Sequence, residues 1–222
     1  MERMTLGRMQ NPIRGFLHGG AAVLSLFGLI LLLIESRGVA AAVWSSLIFG
    51  GSLVAMYTIS ALYHSIPWGP PWKRRMQRLD HTMIFLVVAG TFTPIAISSL
   101  AGTSLRIALW SVWALAIIGI VLKTSLPNEA TWLSLTIQLS MGWSALIWMP
   151  AIYRELGGGA IALIATGGLF YTVGVVIFTR KQPVMFPRTF SSHELFHVMV
   201  ILASICHYLA VYLYAVPAIV GA

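Results

Sequence analysis

The chain has 222 residues, of which 58% are hydrophobic and only 9% charged, with a net charge of +8 and a mean hydropathy of +0.86. So little charge excludes a soluble domain and points to an integral membrane protein. Cys206 is the single cysteine, which excludes an intrachain disulfide and any thiolate-based metal cluster and leaves a small packed residue as its role.

Seven apolar stretches are long enough to cross a hydrocarbon layer of about 30 Å. In chain order they run over Phe16–Ile34, Ala40–Tyr63, His81–Leu100, Leu105–Leu122, Trp132–Pro150, Ala160–Phe178 and Leu195–Val216. Turn-forming and charged clusters separate them: Glu35 to Gly38, Pro67 to Pro71, Ala101 to Thr103, Pro127 to Glu129, Gly157 to Gly159, and Pro183 with Pro187. The short connections leave room for one domain only, residues 1–222. No strand alternation occurs, so the reading is an all-α bundle of seven transmembrane helices rather than a barrel. Pro94 is expected to kink the third span. Gly50-Gly51, Gly119 and Gly167-Gly168 read as small surfaces for close helix packing. The tryptophans read mostly as interface anchors. The first span is longer than a signal-peptide core and lacks a clear cleavage site, so it is expected to be retained.

Sorting Lys and Arg by alternate connections explains the net charge without a nucleic-acid partner. Arg3, Arg8, Arg14, Lys73, Arg74, Arg75, Arg78, Lys123, Arg180, Lys181 and Arg188 fall on one side, against Arg37, Arg106 and Arg154 on the other. The positive-inside rule then places the N-terminus in the cytoplasm and the C-terminus outside. The expected surroundings are membrane lipids, with anionic head groups near the basic loops and no obligate protein partner.

His193-Glu194-Leu195-Phe196-His197 opens the seventh span. Positions i and i+4 share a helix face, so the two imidazoles have metal-ligand spacing. On the same membrane side lie His64, at the end of span two, and Asp80 with His81, at the start of span three. Ionisable groups in lipid are costly unless they pair, bind metal or line a wet cavity. His64, His193 and His197 therefore form a candidate zinc triad with one position open for water. Ser60 sits one turn before His64, where its hydroxyl faces a bound substrate oxygen. Asp80 is placed to accept a proton from an attacking water. Glu194 competes for that role, because metalloproteases with this pattern use the intervening Glu as base.

Bland readings stand beside these. His193 and His197 are otherwise polar helix-start residues, and Asp80 a salt-bridge partner of Arg78 or Arg75 or a favourable charge at a helix N-terminus. His81, one position from Asp80 and so turned elsewhere on the helix, reads as a residue behind the ligands or at the interface rather than a ligand, and His18 is a packing residue or an additional ligand. His207, about 21 Å along the helix from His193, is too far away to share the metal.

The strings Ser60 to Ser65, Arg78 to His81 continuing to Pro94, and His193 to His197 continuing to His207 closely resemble the bacterial hemolysin III-like proteins. These belong to the progestin and adipoQ receptor superfamily, which includes the adiponectin receptors. The resemblance runs from about Asn11 through the chain, in motif order. It implies a seven-span protein of the inner (plasma) membrane, with His64, His193 and His197 as zinc ligands, Asp80 holding the water at the metal, and Ser60 as the motif serine. A more distant similarity to alkaline ceramidases implies a lipid amide or ester as substrate. The chain departs from the family in one place: Gln10 and Asn11 stand where a Glu and Asn are common, with His18 following. A zinc-stabilised receptor-like or membrane-homeostasis protein and a pore-former are the alternatives.

Overall fold

A computed structural model of the chain describes residues 9–125, 131–186 and 189–222. It consists of α1 (Pro12–Glu35), α2 (Ala40–Ser65), α3 (Pro70–Ser99), α4 (Gly102–Ser125), α5 (Thr131–Trp143), α6 (Ala145–Arg180) and α7 (Ser192–Ala210). A π-helical turn over Val211–Ala215 joins α7 to α8 (Val216–Val220). No β-strand occurs among the described residues; one isolated bridge pairs Phe186 with Phe190 just before α7.

Local chemistry sets the helix ends. Pro12 and Pro70 occupy the first turns of α1 and α3, where a missing N–H is harmless and the fixed φ is helical. Gly38, with φ of 87°, lets the chain turn sharply from α1 into α2. α3 continues through Pro94 to Ser99, and it starts ten residues before Asp80. Its first turns carry Trp72, Lys73, Arg74 and Arg75, all exposed.

Burial is inverted relative to a protein built for water. On α1 the outward residues are Phe16, Leu24 and Phe27, at 61%, 70% and 61% exposure, whereas Arg14 and His18 are buried at 5% and 3%. Apolar side chains face outward because the surrounding solvent is lipid, and polar groups turn inward to find partners. This is a multi-pass membrane protein.

Six helical stretches are long and apolar enough to span a membrane, the fifth being a 49-residue run from Trp132 to Arg180. Within that run the Trp143 indole donates to the Thr172 hydroxyl at 3.1 Å, and the Tyr171 hydroxyl to Gln138 Oε1 at 2.9 Å. In a straight helix such residues would lie about 45–50 Å apart, so the chain folds back between them. Gly157, midway, is the residue with non-helical backbone, at φ 77° and ψ 178°.

α3 lies at the centre, touching α2, α4, α5 and α6. A core around Phe49, Leu53, Met56 and Tyr57 joins α1, α2, α6 and α7, and a second around Phe85, Phe92, Val112 and Met141 joins α3, α4 and α5. Glycines permit the closest approaches. A Cβ on Gly119 would strike the Phe85 ring, one on Gly50 would meet Leu29, and one on Gly167 would lie 2.7 Å from His207 Nε2. Gly51, by contrast, has open space beside it. Of the tryptophans, Trp72, Trp110 and Trp132 are exposed, whereas Trp113 and Trp143 hydrogen-bond into the bundle.

Candidate metal centre

The last turns of α2 and the first turns of α7 meet at one level. Ser191 caps α7, its side chain receiving the backbone N–H of the third residue, while the Glu194 side chain returns to the Ser191 backbone N–H at 2.9 Å. This reciprocal cap fixes where α7 begins and therefore which way His193 and His197 face. One ring nitrogen from each of His64, His193 and His197 falls within 4.8 Å of the others. His64 and His197 are each 2% exposed. The rings stand edge to face or tilted, with centroids 4.9 to 5.4 Å apart.

Three imidazoles are the donor set that borderline cations such as zinc take. Among the described residues, His197 Nδ1 is buried without a hydrogen-bond partner. Buried polar atoms are almost always paired, so an orphan inside this cluster fits a site built for a cation. The residues suit the ion that the sequence implied.

A cavity of about 70 Å³ borders the cluster, lined in part by His18, Ser60, Asp80, His81, His193 and His197. The Ser60 hydroxyl lies within hydrogen-bonding reach of the Asp80 carboxylate. Neither bland reading of Asp80 holds. It lies well inside α3 rather than at its N-terminus, and it makes no ion pair among the described residues. Arg78 instead donates to the Thr124 carbonyl at 3.3 Å, and the Arg75 guanidinium sits 5.0 Å over the Trp72 ring.

Glu194 is otherwise engaged. Arg14 Nε donates to its Oε1 at 2.6 Å, and Ser191 N and Oγ each donate to Oε2 at 2.9 Å. A carboxylate bonded to a cation through one oxygen and to a helix cap through the other holds α1 against α7. Arg14, counted from the sequence as a loop charge, is thus a buried structural cation.

Arg14 belongs to a stripe on α1 at helical spacing. The Asn11 backbone N–H donates to the His64 carbonyl at 3.0 Å, Arg14 pairs with Glu194, and the His18 ring stacks on His197 at 3.8 Å between centroids. α1 therefore braces both α2 and α7 at the level of the imidazoles. His18 is not among the three clustered ligands, and its ring is buried against His197 and Tyr57. His81 lines the same cavity and is not among the three clustered imidazoles. His207 packs on Gly167 and the Ile164 backbone, away from the cluster.

Residues 7–208 match the family described as Haemolysin-III related. The chain belongs to that family. Hemolysin-3 of Bacillus cereus is 31% identical to this haemolysin-III-related chain over 220 residues, spanning 98% of it and 97% of the relative. The Hemolysin-3 homolog of Bacillus subtilis (strain 168) is 34% identical over 167 residues, covering 74% and 78% of the two chains. Monocyte to macrophage differentiation factor of Homo sapiens is 25% identical over 176 residues, covering 77% and 71%.

Sequence reasoning did not find Arg14, or the cavity residues Lys123, Ser134 and Gln138 contributed by α4 and α5. Arg14 carried a signal, since Asn11, Arg14 and His18 are spaced by three and four residues. Ser134 and Gln138 are likewise one turn apart in an otherwise apolar span.

Proposed function

We propose that this haemolysin-III-related protein is a zinc-dependent hydrolase of a lipid amide or ester bond, working near the cytoplasmic leaflet of the plasma membrane. The observation that carries this is the convergence of His64, His193 and His197 on a buried point beside an Asp80–Ser60 pair. Zinc, when bound, supplies Lewis acidity toward water and a carbonyl oxygen. Asp80 then takes a proton from the attacking water, with the Ser60 hydroxyl holding the carboxylate in place. Arg14 and Glu194 keep α1 and α7 together and so keep the imidazoles aimed.

A lipid substrate is favoured by what adjoins the site. An apolar chamber of about 130 Å³ lies between α3, α5, α6 and α7. Met56, Ile84, Gln138 and Val200 line both it and the imidazole cavity, so an acyl chain in the chamber would have its head at the imidazoles. The orientation belongs to the same proposal: the 49-residue stretch crosses twice, making seven crossings with the N-terminus inside.

Metal analysis of purified protein tests the first half. Wild type is expected to carry about one zinc per chain, since a three-imidazole site takes a single ion. His64→Ala, His193→Ala and His197→Ala should each lose both the zinc and turnover in a lipid-extract screen. Loss of zinc with turnover intact overturns the proposal. Asp80→Asn should keep the zinc and lose turnover; retained cellular function in that variant would instead favour a metal-stabilised, non-enzymatic protein. The name of the two Bacillus relatives raises a cytolytic reading, which liposome leakage that persists in Asp80→Asn and His197→Ala would favour.

A further inference from the structure

α3 is longer than a membrane crossing needs. Its 30 residues, Pro70–Ser99, extend about 45 Å, against a hydrocarbon layer of about 30 Å. With Ser99 at the far boundary, residues 80–99 fill that layer, and residues 70–79 continue about 15 Å past it through the head-group region. The proposed chemistry uses none of this extension.

Its side chains are cationic and aromatic. Trp72, Lys73, Arg74 and Arg75 are all exposed. Trp72, Arg75 and Leu79 are spaced by three and four residues and so share one face, on which Trp72 is 55% and Leu79 40% exposed. The Arg75 guanidinium lies 5.0 Å over the Trp72 ring, a stacking that engages its flat face and leaves its N–H edge to donate outward. Among the described residues Lys73, Arg74 and Arg75 make no ion pair. No exposed carboxylate stands at this end of the described structure either. Glu35 closes α1 at the opposite end, Glu155 precedes the reversal at Gly157, Glu194 is buried on Arg14, and Asp80 lines the cavity. Arg180 and Lys181, exposed where α6 ends, add charge of the same sign.

The surroundings indicate what covers these cations. At the same end the segment after α6 exposes Val184, Met185 and Phe186. Apolar and cationic side chains displayed together suit a lipid interface, which takes the apolar groups into its acyl boundary and the cations among its phosphates. A soluble nucleic acid or acidic protein would leave Leu79 and Phe186 in water. A zwitterionic lipid brings its own cation to a surface already positive, whereas an anionic lipid brings net negative charge.

We infer that Trp72, Lys73, Arg74 and Arg75 form a recognition surface for anionic phospholipid head groups, with Arg75 on the phosphate and Leu79 against the acyl region of the same lipid. The assignment is independent of the metal and of the hydrolase reading.

The test titrates the full-length protein in detergent with phosphatidylglycerol or with phosphatidylcholine of the same acyl chains, and counts bound lipids by native mass spectrometry. Wild type should bind phosphatidylglycerol at least about fivefold more tightly, since one Lys or Arg at an anionic surface contributes roughly that factor. The combined Lys73→Gln, Arg74→Gln, Arg75→Gln variant should lose the preference. Arg75→Gln alone should weaken it by about two- to fivefold, and it keeps the test valid if the triple variant does not fold. Arg106→Gln with Arg154→Gln, which removes charge at the other end, should keep the preference. Equal binding of the two lipids by wild type overturns the inference, as does a preference unchanged in both the triple and the Arg75→Gln variants. A preference lost to the same extent in the Arg106→Gln, Arg154→Gln variant overturns it as well, because net charge and not this surface would then be responsible. Binding of a short single-stranded RNA that depends on Lys73, Arg74 and Arg75, with no preference between the lipids, overturns it in favour of a nucleic-acid surface.

Discussion

At the scale of single residues, the fate of Glu194 shows how environment assigns chemistry. Its place between His193 and His197 qualifies it as a base, yet Arg14 bonds one of its oxygens and Ser191 the other. Removing one partner of a buried ion pair strands the other charge and costs about 3–5 kcal/mol, whereas replacing both by apolar groups is often near neutral. Arg14→Met and Glu194→Gln should therefore each lower thermal stability in detergent sharply, and the double variant should recover much of the loss. A Glu194→Gln protein that is as stable as wild type but inactive would return the base role to Glu194. Asp80 is expected to behave in the opposite way, losing activity as Asn with little change in stability.

At the scale of elements, packing between helices is set by a few glycines and by where helices begin. A methyl group on Gly119 would collide with the Phe85 ring on α3. Gly119→Ala should lower stability by about 1–3 kcal/mol through overpacking. Gly51→Ala, which has open space, should leave it unchanged or slightly higher, because Ala is the better helix former. Thermal unfolding of the pair checks both. The start of α3 was the element least legible in the sequence. The hydrophobic stretch begins at His81, but the helix begins at Pro70, since exposed basic and aromatic residues extend a helix as readily as apolar ones. That extension moves Asp80 from a helix end to a helix interior and removes its dipole-based explanation.

At the scale of the molecule, the reversal within Trp132–Arg180 decides how the chain is threaded. Gly157 has a backbone conformation essentially restricted to glycine. Gly157→Val should cost about 1–3 kcal/mol, read as reduced thermal stability and lower yield of folded protein. The threading itself is tested by reporter fusions at the two termini. Seven crossings place them on opposite sides of the membrane; both reporters on one side would mean an even number and would overturn the proposed orientation.

The amino-acid sequence by itself determined that this is an all-helical membrane protein, and it marked Ser60, His64, Asp80, His193 and His197, because hydropathy and helical spacing are local properties of the chain. It also held the motifs by which the family was recognised. Only the tertiary structure decided that His64 meets His193 and His197, that Glu194 belongs to Arg14, and that Lys123, Ser134 and Gln138 share a cavity with them. Those residues are separated by scores of positions in the chain, and their partners are set by helix packing. A basic residue near a helix end is an orienting charge in the sequence; whether it faces lipid head groups, a carboxylate or a cavity depends on which helix lies beside it.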